Sequence, residues 1–274
     1  MLNFKVDPAT CTHCGLCAND CPAKIIVMGD HGPAIAPADE GSCYQCQHCL
    51  AVCPSGSVSI LGVTASSCIP LKGNLPTPDQ VEILIRGRRT VRRYYDENLD
   101  PALIHKLLNV AWQAASGRNE RKVLLSVIDD RKVMAAFREE TLASLARMIR
   151  DNKLPPGRER FIDIVKAWEN KKVDIIFRGA PHLVVASAPR TCACPEADCL
   201  IALTTLELFA SSNGVGTVWA GMLQWAMLEI LPELRGRLGI PDDHVLGYAM
   251  LFGKPAVKYA RTVRHEPALI SRVH

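Results

Sequence analysis

The pattern of apolar and polar positions predicts regular elements most clearly after residue 77. A helix is predicted to begin at Thr77, because Thr77-Pro78-Asp79-Gln80 combines a capping threonine, a proline in the first turn and a glutamine three residues after the cap. A second helix is predicted after Asp100-Pro101. Apolar residues recur there at three-and-four spacing, at Leu103, Ile104, Leu107, Leu108, Ala111, Trp112 and Ala115.

The rest of this region alternates strand-like and helix-like stretches. Short apolar stretches typical of buried strands lie at 123–128, 182–186, 217–219 and 245–252. Helical patterns lie between them, at 133–150, 161–168 and 197–212. The sequence therefore predicts an α+β domain in which helices cover a central mixed sheet.

Composition narrows the class of protein. The chain is 48% apolar and 22% charged, which is ordinary for a globular protein and excludes a wholly disordered one. A net charge of +4 is too small to imply a nucleic-acid partner. Charged residues near the amino terminus argue against a leader peptide, and the most apolar stretch, at 214–231, contains Gln224 and Glu229, so no membrane span is expected. We expect a cytoplasmic protein.

Charge and cysteine are unevenly distributed along the chain. Residues 1–65 contain two lysines, five acidic residues and no arginine, so the remainder carries the positive charge. Eight of the twelve cysteines lie between Cys11 and Cys53. In a reducing compartment such a density of cysteine indicates metal binding rather than disulfides. We therefore expect a metal-binding domain at 1–65, a linker with two prolines at 66–76 and a larger domain at 77–274.

The pattern Cys-x2-Cys-x2-Cys-x3-Cys-Pro occurs twice, 32 residues apart, beginning at Cys11 and at Cys43. Three thiolates on a tight loop can bind three irons of one cubane, while the fourth cysteine of the run binds the other cluster. Two 4Fe-4S clusters are predicted, with the ligand sets Cys11, Cys14, Cys17 and Cys53, and Cys43, Cys46, Cys49 and Cys21. Zinc is the competing metal, although its sites usually pair two Cys-x2-Cys units. Residues 1 to about 62 resemble the bacterial-type dicluster 4Fe-4S ferredoxins, which transfer single electrons.

An arginine-rich segment between the first two predicted helices suggests an anion site. Five arginines fall within the eight residues 86–93. In an extended segment Arg88, Thr90 and Arg92 would share one side, which suits a phosphate monoester, whereas a solvated charged face is the alternative. The turn at 115–119 and the glycine-containing stretch at 214–221 could approach a planar ring, but helix capping and close packing explain those glycines equally well.

Taken in order, these segments resemble the flavin-dependent nitroreductase family. Its signatures correspond to an Arg-Arg-Thr-x-Arg-x-Tyr segment at 88–94, a Ser-Gly-x-Asn turn at 116–119, a Gly-x-Gly-Thr-x-Trp-x-Gly stretch at 214–221 and an altered tail at 252–264. The resemblance implies an FMN site at the interface of a homodimer. It assigns to FMN the residues Arg88, Arg89, Thr90, Arg92, Ser116, Gly117, Arg118, Asn119, Gly214, Gly216, Thr217 and, in the tail, Arg261 or Arg264.

Two departures from the family pattern leave the substrate open. Ala115 stands where the family usually has proline, and Arg121-Lys122 replaces a Gln-Pro pair.

Four cysteines lie outside the cluster motifs, at Cys68, Cys192, Cys194 and Cys199. They are structural thiols, a redox-active or substrate-contacting thiol, or a third metal site. His182, Glu196 and Asp198 are either proton donors or helix caps.

The sequence thus predicts an oxidoreductase in which FMN reduces a small organic acceptor, nitroaromatic or quinone-like, with electrons exchanged through the two clusters. No residue is assigned a catalytic role. The donor is either NAD(P)H, which would bind transiently because no Rossmann fingerprint is present, or an external ferredoxin. Alternative functions are a non-catalytic electron relay to a partner protein and a flavin-fragmenting or dehalogenating reaction on the same fold.

Overall fold

The computed structural model describes residues 2–274, which form two compact units. The first unit runs to Pro76 and includes Arg118–Glu120, and the second comprises Thr77–Gly117 and Arg121–His274. In the part of the chain that the structure describes, no helix combines the length and the apolar character needed to cross a membrane.

The first unit is built from very short elements around a small core. Its elements in chain order are β1 (Lys5–Val6), α1 (Leu16–Asn19), β2 (Ile26–Gly29), β3 (Gly32–Ile35), α2 (His48–Ala51) and β4 (Val58–Ser59), with 3-10 turns at Pro37–Ser42 and Ala65–Ser67. Strand β1 pairs antiparallel with β4, and β2 pairs antiparallel with β3. The core contains Leu2, Ile25, Ile26, Leu50, Val58 and Ile60 together with Cys17, Cys21 and Cys49.

The duplication of the cysteine motif is repeated in the backbone. His13 and Gln45, which are equivalent positions of the two motifs, have φ angles of 55° and 52°. Gly15 and Gln47 are also equivalent, with φ angles of 72° and 60°, and each immediately precedes a four-residue helix, α1 or α2. Alternating right- and left-handed residues turn successive backbone N–H groups toward one concavity, a geometry found at anion and iron-sulfur sites. Both motifs therefore fold into the same type of loop.

The second unit is a sheet with helices on both faces. Its elements are α3 (Pro78–Gly87), α4 (Pro101–Ala111), β5 (Leu124–Ile128), α5 (Arg131–Arg150), α6 (Arg160–Lys171), β6 (His182–Pro189), α7 (Pro195–Ser212), β7 (Gly216–Trp219), α8 (Gly221–Trp225), α9 (Leu234–Arg237) and β8 (His244–Gly253). A π-helical turn, Ala226–Ile230, continues α8, and a 3-10 turn begins at Gly117 of this unit and includes Arg118 and Asn119, which are grouped with the first unit. The four strands are antiparallel in the order β5-β6-β8-β7, and a parallel bridge between Thr90 and Thr217 makes the sheet mixed. The predicted α+β class is confirmed.

Strand β6 shows why the sheet needs helices on both sides. Leu183 and Val185 belong to a core with α5 and α6, whereas Val184 and Ala186 belong to a second core with α4 and α7. Because successive side chains of a strand point to opposite faces, a strand with consecutive apolar residues, as at 183–186 here, must be covered on both faces. This explains the uninterrupted apolar pattern of the sequence there.

Local capping signals fix the first two helices of this unit. Thr77 Oγ1 accepts from the backbone N–H of Gln80 at 3.3 Å, and Gln80 Oε1 accepts from that of Thr77 at 2.9 Å, as the sequence predicts. Asp100 caps α4 by accepting from Ala102 N at 3.0 Å. Helix α4 ends at Ala111 rather than continuing to Ala115, because the chain tightens into turns after Trp112.

We predict that Gly247→Ala destabilises the second unit. A Cβ at Gly247 would lie 2.2 Å from Cys199 Cβ and 2.9 Å from the carbonyl oxygen of Ala186, so α7 and β8 would have to separate. Overpacking of this kind typically costs about 1–3 kcal/mol of unfolding free energy, measured by urea titration. The control is Gly236→Ala in α9, where no described atom lies within 4 Å of the added Cβ, and which should be neutral or slightly stabilising. Equal shifts for both variants would contradict the packing argument.

Candidate functional site

The cysteines of the duplicated motif line two cavities in the first unit. One cavity, of about 290 Å³, is lined by Cys11, Cys14, Cys17 and Cys53. The other, of about 350 Å³, is lined by Cys21, Cys43, Cys46 and Cys49. Each cavity thus receives three thiols from one motif and the fourth from the other, which is the grouping that the spacing predicts. Four thiols around a cavity suit a cubane cluster, and ligation itself stays a prediction.

The thiols of the two cavities lie in different polar surroundings. Burial opposes ionisation of Cys53, but the hydroxyl groups of Ser57 and Ser55, at 3.3 and 3.6 Å from its sulfur, together with backbone N–H groups lower its pKa to about 7. Burial raises the pKa of Cys49 to about 11. Within residues 2–274 no group of three or more His, Cys, Asp or Glu side chains is compact enough for a single metal ion.

The arginine-rich segment of the second unit lies along the edge strand β7. Val91 N donates to the carbonyl oxygen of Thr217 at 2.9 Å, next to the bridge between Thr90 and Thr217. A Cβ on Gly216 would lie 2.7–2.9 Å from atoms of the Val91 side chain, so glycine is required there for packing. Gly214, with a φ of 71°, follows the end of α7. The packing and capping explanations therefore account for Gly214 and Gly216.

The carboxyl-terminal tail returns to the other side of the same segment. Tyr95 N donates to the carbonyl oxygen of Lys254 at 3.0 Å, and Ala256 N donates to that of Arg93 at 2.9 Å. The Tyr259 hydroxyl donates to the carbonyl oxygen of Thr90 at 3.2 Å. Residues 90–95 are thus enclosed between β7 and the tail. Arg261 and Arg264 follow Tyr259 in the exposed part of the tail.

The arginines of this segment are only partly used by the protein. Arg88 Nη1 donates to Glu207 Oε1 at 3.2 Å, and Arg89 Nη2 donates to the carbonyl oxygen of Arg86. Arg89 Nε is buried and has no hydrogen-bond partner among the described residues, and Arg92 is exposed. Buried N–H groups are normally paired. An anion such as a phosphate monoester fits this set of donors.

The predicted turn at 116–119 is held by a buried carboxylate. Asp198 Oδ1 accepts from Gly117 N at 2.9 Å, and Asp198 is only 4% exposed. Ser116 Oγ accepts from Arg121 N at 2.9 Å, so this hydroxyl closes the turn. Arg118 and Asn119 have φ angles of 52° and 55°, a left-handed conformation that non-glycine residues rarely adopt. Asp198, considered in the sequence as a proton donor or cap, thus positions this turn.

Residues that the sequence left with alternative roles are now placed. Cys199 is fully buried against Gly247, and burial, with Asp198 nearby, raises its pKa to about 12, which favours the structural interpretation. His182 is fully buried, its Nε2 accepts from Leu99 N at 3.0 Å, and burial lowers its pKa. Cys194 is exposed at the start of α7, and Cys68 is exposed in the first unit.

Glu207 is the residue of this region that sequence reasoning missed. It lies on α7, and its Oε1 accepts from both Arg88 Nη1 and the Thr217 hydroxyl, at 3.2 and 3.3 Å. Thr217, predicted to bind the cofactor, therefore uses its buried hydroxyl group within the protein. One signal in the sequence could have identified Glu207, because it is the single acidic residue in the largely apolar stretch 203–210. An acidic residue that is buried in such a stretch normally has a hydrogen-bonding or charged partner.

Two family models match the chain. The model of the nitroreductase family matches residues 85–254, more than half of the chain. The chain belongs to the nitroreductase family. A model of a 4Fe-4S dicluster domain matches residues 10–57. The predicted fusion of a dicluster ferredoxin-type domain with a nitroreductase domain is confirmed, and the protein is an oxidoreductase.

Individual relatives cover the nitroreductase domain. An Archaeoglobus fulgidus protein that carries the name NADH dehydrogenase/NAD(P)H nitroreductase is 26% identical over 176 residues, 63% of this chain and 83% of that protein. The FMN-bound nitroreductase of Bacteroides fragilis has a TM-score of 0.55 at 20% identity, with coverage of 70% of this chain and 99% of its own. The Mycobacterium smegmatis enzyme in complex with NADPH has a TM-score of 0.50 at 20% identity, with coverage of 72% and 100%. The nitroreductase fold is confirmed.

We predict that cysteine substitutions group by cavity rather than by motif. Cys53→Ser should remove the same cluster as Cys11→Ser, and Cys21→Ser the same cluster as Cys43→Ser, because each cavity takes its fourth thiol from the other motif. Iron and sulfide analysis should give about half of the wild-type content, about four irons instead of about eight, and the electron paramagnetic resonance spectrum of the reduced remaining cluster should match within each pair. Cys68→Ser, outside both cavities, is the control. Grouping of Cys53 with Cys43 would contradict the assignment.

Proposed function

We propose that the protein is an FMN-dependent, iron-sulfur oxidoreductase that reduces a small organic acceptor of the nitroaromatic or quinone-like type. The observation that carries this proposal is the presence, in one chain, of two four-thiol cavities and a nitroreductase-family domain with incompletely paired arginines. FMN, when bound, would exchange electron pairs with an organic substrate and single electrons with iron-sulfur clusters. The FMN found in the B. fragilis nitroreductase supports the choice of flavin.

The proposed FMN site combines the segments described above. The phosphate would be bound by Arg88, Arg89, Thr90 and Arg92 together with Arg261 or Arg264 from the tail. The ring would contact the turn Ser116, Gly117, Arg118 and Asn119, and the backbone of Gly214, Gly216 and Thr217. Bidentate arginine–phosphate contacts would give the site both its affinity and its orientation. Asp198 and Glu207 would not contact FMN themselves, and would affect its binding only through Gly117 and Arg88, to which they are hydrogen-bonded.

We propose NAD(P)H as the electron donor for the flavin. The name of the A. fulgidus relative and the NADPH complex of the M. smegmatis enzyme support this choice. Cys11, Cys14, Cys17 and Cys53 would bind one 4Fe-4S cluster, and Cys21, Cys43, Cys46 and Cys49 the second. The clusters would then exchange electrons with an external carrier of the ferredoxin type. Because cluster thiolates need a reducing compartment, we place the protein in the cytoplasm.

The function is tested by an anaerobic optical titration of the full chain, after its iron, sulfide and FMN have been quantified. We expect about eight irons and one FMN per chain, and we expect NADPH or NADH to bleach the flavin absorbance before the broad cluster absorbance falls. A nitroaromatic compound or a quinone added next should restore the flavin absorbance over many turnovers.

Other outcomes distinguish the alternatives. If nicotinamides leave both absorbances unchanged while a reduced ferredoxin bleaches both, the first unit is the electron inlet and the proposed donor is wrong. Reduction without turnover of any organic acceptor would favour a relay to a partner protein. Loss of the flavin absorbance during aerobic reduction would favour a flavin-fragmenting reaction. A chain that binds no FMN would contradict the proposal.

We further propose that the protein is a homodimer. Helix α3 has no buried residue, and Val81, Ile83 and Ile85 are 39%, 63% and 52% exposed. Leu200 and Ile201 of α7 are also exposed. Clustered exposed aliphatic side chains usually mark a protein interface. A second copy of this chain, as in the family that it belongs to, is the proposed partner.

Light scattering after size exclusion should therefore give about twice the chain mass of 30.0 kDa. Ile83→Arg should shift the protein toward monomer, because an interface core does not accommodate an unpaired charge. Val133→Arg, a substitution of an equally exposed apolar residue on α5, should remain dimeric. A wild-type mass of about 30 kDa would refute the dimer.

A further inference from the structure

Glu207 is a buried acid at the point where three segments of the second unit meet. Its side chain is 8% exposed, and that of Arg88 is 30% exposed. Glu207 lies on α7, Thr217 on β7, and Arg88 directly after α3. The single oxygen Oε1 accepts both from Arg88 Nη1 at 3.2 Å and from Thr217 Oγ1 at 3.3 Å. One carboxylate thus joins the arginine-rich segment to the sheet.

The carboxylate and the guanidinium depend on each other. A buried carboxylate is strongly unfavourable unless a cation or several donors pair with it, so Glu207 requires Arg88. A guanidinium has five N–H donors in a fixed planar fork, and Glu207 is within bonding distance of one of its nitrogens. The guanidinium therefore keeps donors for an anion while its Nη1 is held by Glu207.

The backbone near Arg88 is fixed at the same junction. Val91 N donates to the carbonyl oxygen of Thr217 at 2.9 Å, so the residue whose hydroxyl bonds Glu207 also holds the segment that carries Arg88. An unattached arginine side chain has many rotamers, and ordering it on binding costs affinity. Because the Arg88 side chain is held by Glu207 and its backbone segment by Thr217, much of this entropic cost is removed before the anion binds.

We propose that Glu207 is a positioning residue for phosphate binding, which holds Arg88 in the orientation that accepts the phosphate monoester of FMN. The Thr217 hydroxyl serves Glu207 and not the cofactor. This inference rests on the proposed FMN function. The Glu207 carboxylate also repels a phosphate. Positioning of Arg88 would therefore strengthen FMN binding, whereas charge repulsion would weaken it. Glu207→Gln separates them, because it keeps an acceptor oxygen for Arg88 and removes the charge.

The test compares FMN with riboflavin, which lacks the phosphate. Flavin-depleted full-length protein is titrated with each ligand, and binding is followed by quenching of flavin fluorescence. For Glu207→Ala we expect FMN binding to weaken by about tenfold or more, the size of a lost charge-assisted hydrogen bond, while riboflavin binding is unchanged. Glu207→Gln should bind FMN within about threefold of wild type. Glu169→Ala, an exposed glutamate on α6, is the matched control.

A double-mutant cycle shows whether Glu207 acts through Arg88. In an Arg88→Ala background, Glu207→Ala should produce no further loss of FMN affinity, because the residue that it positions is absent. If Glu207→Ala does not fold, judged by its urea unfolding midpoint, Thr217→Val tests the same junction. That variant removes only the hydroxyl group and should weaken FMN binding several-fold with riboflavin binding unchanged.

Four results would overturn the inference. Equal losses for FMN and riboflavin would make Glu207 a structural residue only. Additive effects of Arg88→Ala and Glu207→Ala would show that it does not act through Arg88. Tighter FMN binding by both Glu207→Ala and Glu207→Gln would show that charge repulsion is its only effect. If wild type binds FMN no better than riboflavin, the proposed phosphate site is refuted, and this inference with it.

Discussion

The two buried carboxylates of α7 are the constraint on which the arrangement of the second unit depends. Helix α7 packs between the sheet and α4, in surroundings that would otherwise be apolar. A carboxylate in such a place destabilises the fold by several kcal/mol unless donors reach it. Asp198 is reached by the Gly117 backbone and Glu207 by Arg88 and Thr217. Each carboxylate therefore fixes one segment to which the family resemblance assigns cofactor contacts, and one helix sets the positions of both.

Close backbone contacts complete this arrangement. Gly216 lies against Val91, and a Cβ on Gly117 would lie 3.1 Å from that of Ala193. These glycines bring two chain segments closer than side chains would permit, so the segments are held by packing as well as by hydrogen bonds. The close approach of the chain segments therefore explains both glycines, independently of the contacts with FMN that are proposed for them.

In the second unit, features that depend on short stretches of sequence were predictable, and hydrogen bonds between distant polar groups were not. The capping box at Thr77 joins residues three positions apart and appears as predicted, and the helix predicted after Asp100-Pro101 begins there, where Asp100 accepts from the backbone of Ala102. The pair formed by Arg88 and Glu207 spans 119 residues, and no local pattern encodes it. The hydrogen bond from Tyr259 to Thr90 spans 169 residues and no local pattern indicates it, although the family resemblance assigns a tail arginine to the same cofactor as Thr90. The periodicity of apolar residues locates helices and strands in the sequence. Which polar groups of a segment remain available to a ligand depends on the hydrogen bonds that the folded chain makes between distant residues.

The two proposed anionic sites, the clusters and the phosphate, would depend on different physical means, and this difference explains how much of each could be predicted. The first unit has only two lysines in residues 1–65, and its duplicated loops have left-handed residues at the equivalent positions His13 and Gln45, a backbone geometry that is found around iron-sulfur sites. Backbone geometry of this kind needs only a short loop, and it repeats wherever the motif repeats. The proposed phosphate site of the second unit would use long guanidinium side chains, which can reach an anion in a fixed orientation only if something holds them. The loop can be predicted from the sequence because it depends on neighbouring residues. An arginine that needs a buried carboxylate from another helix can act as a binding residue only when the fold brings the two side chains together.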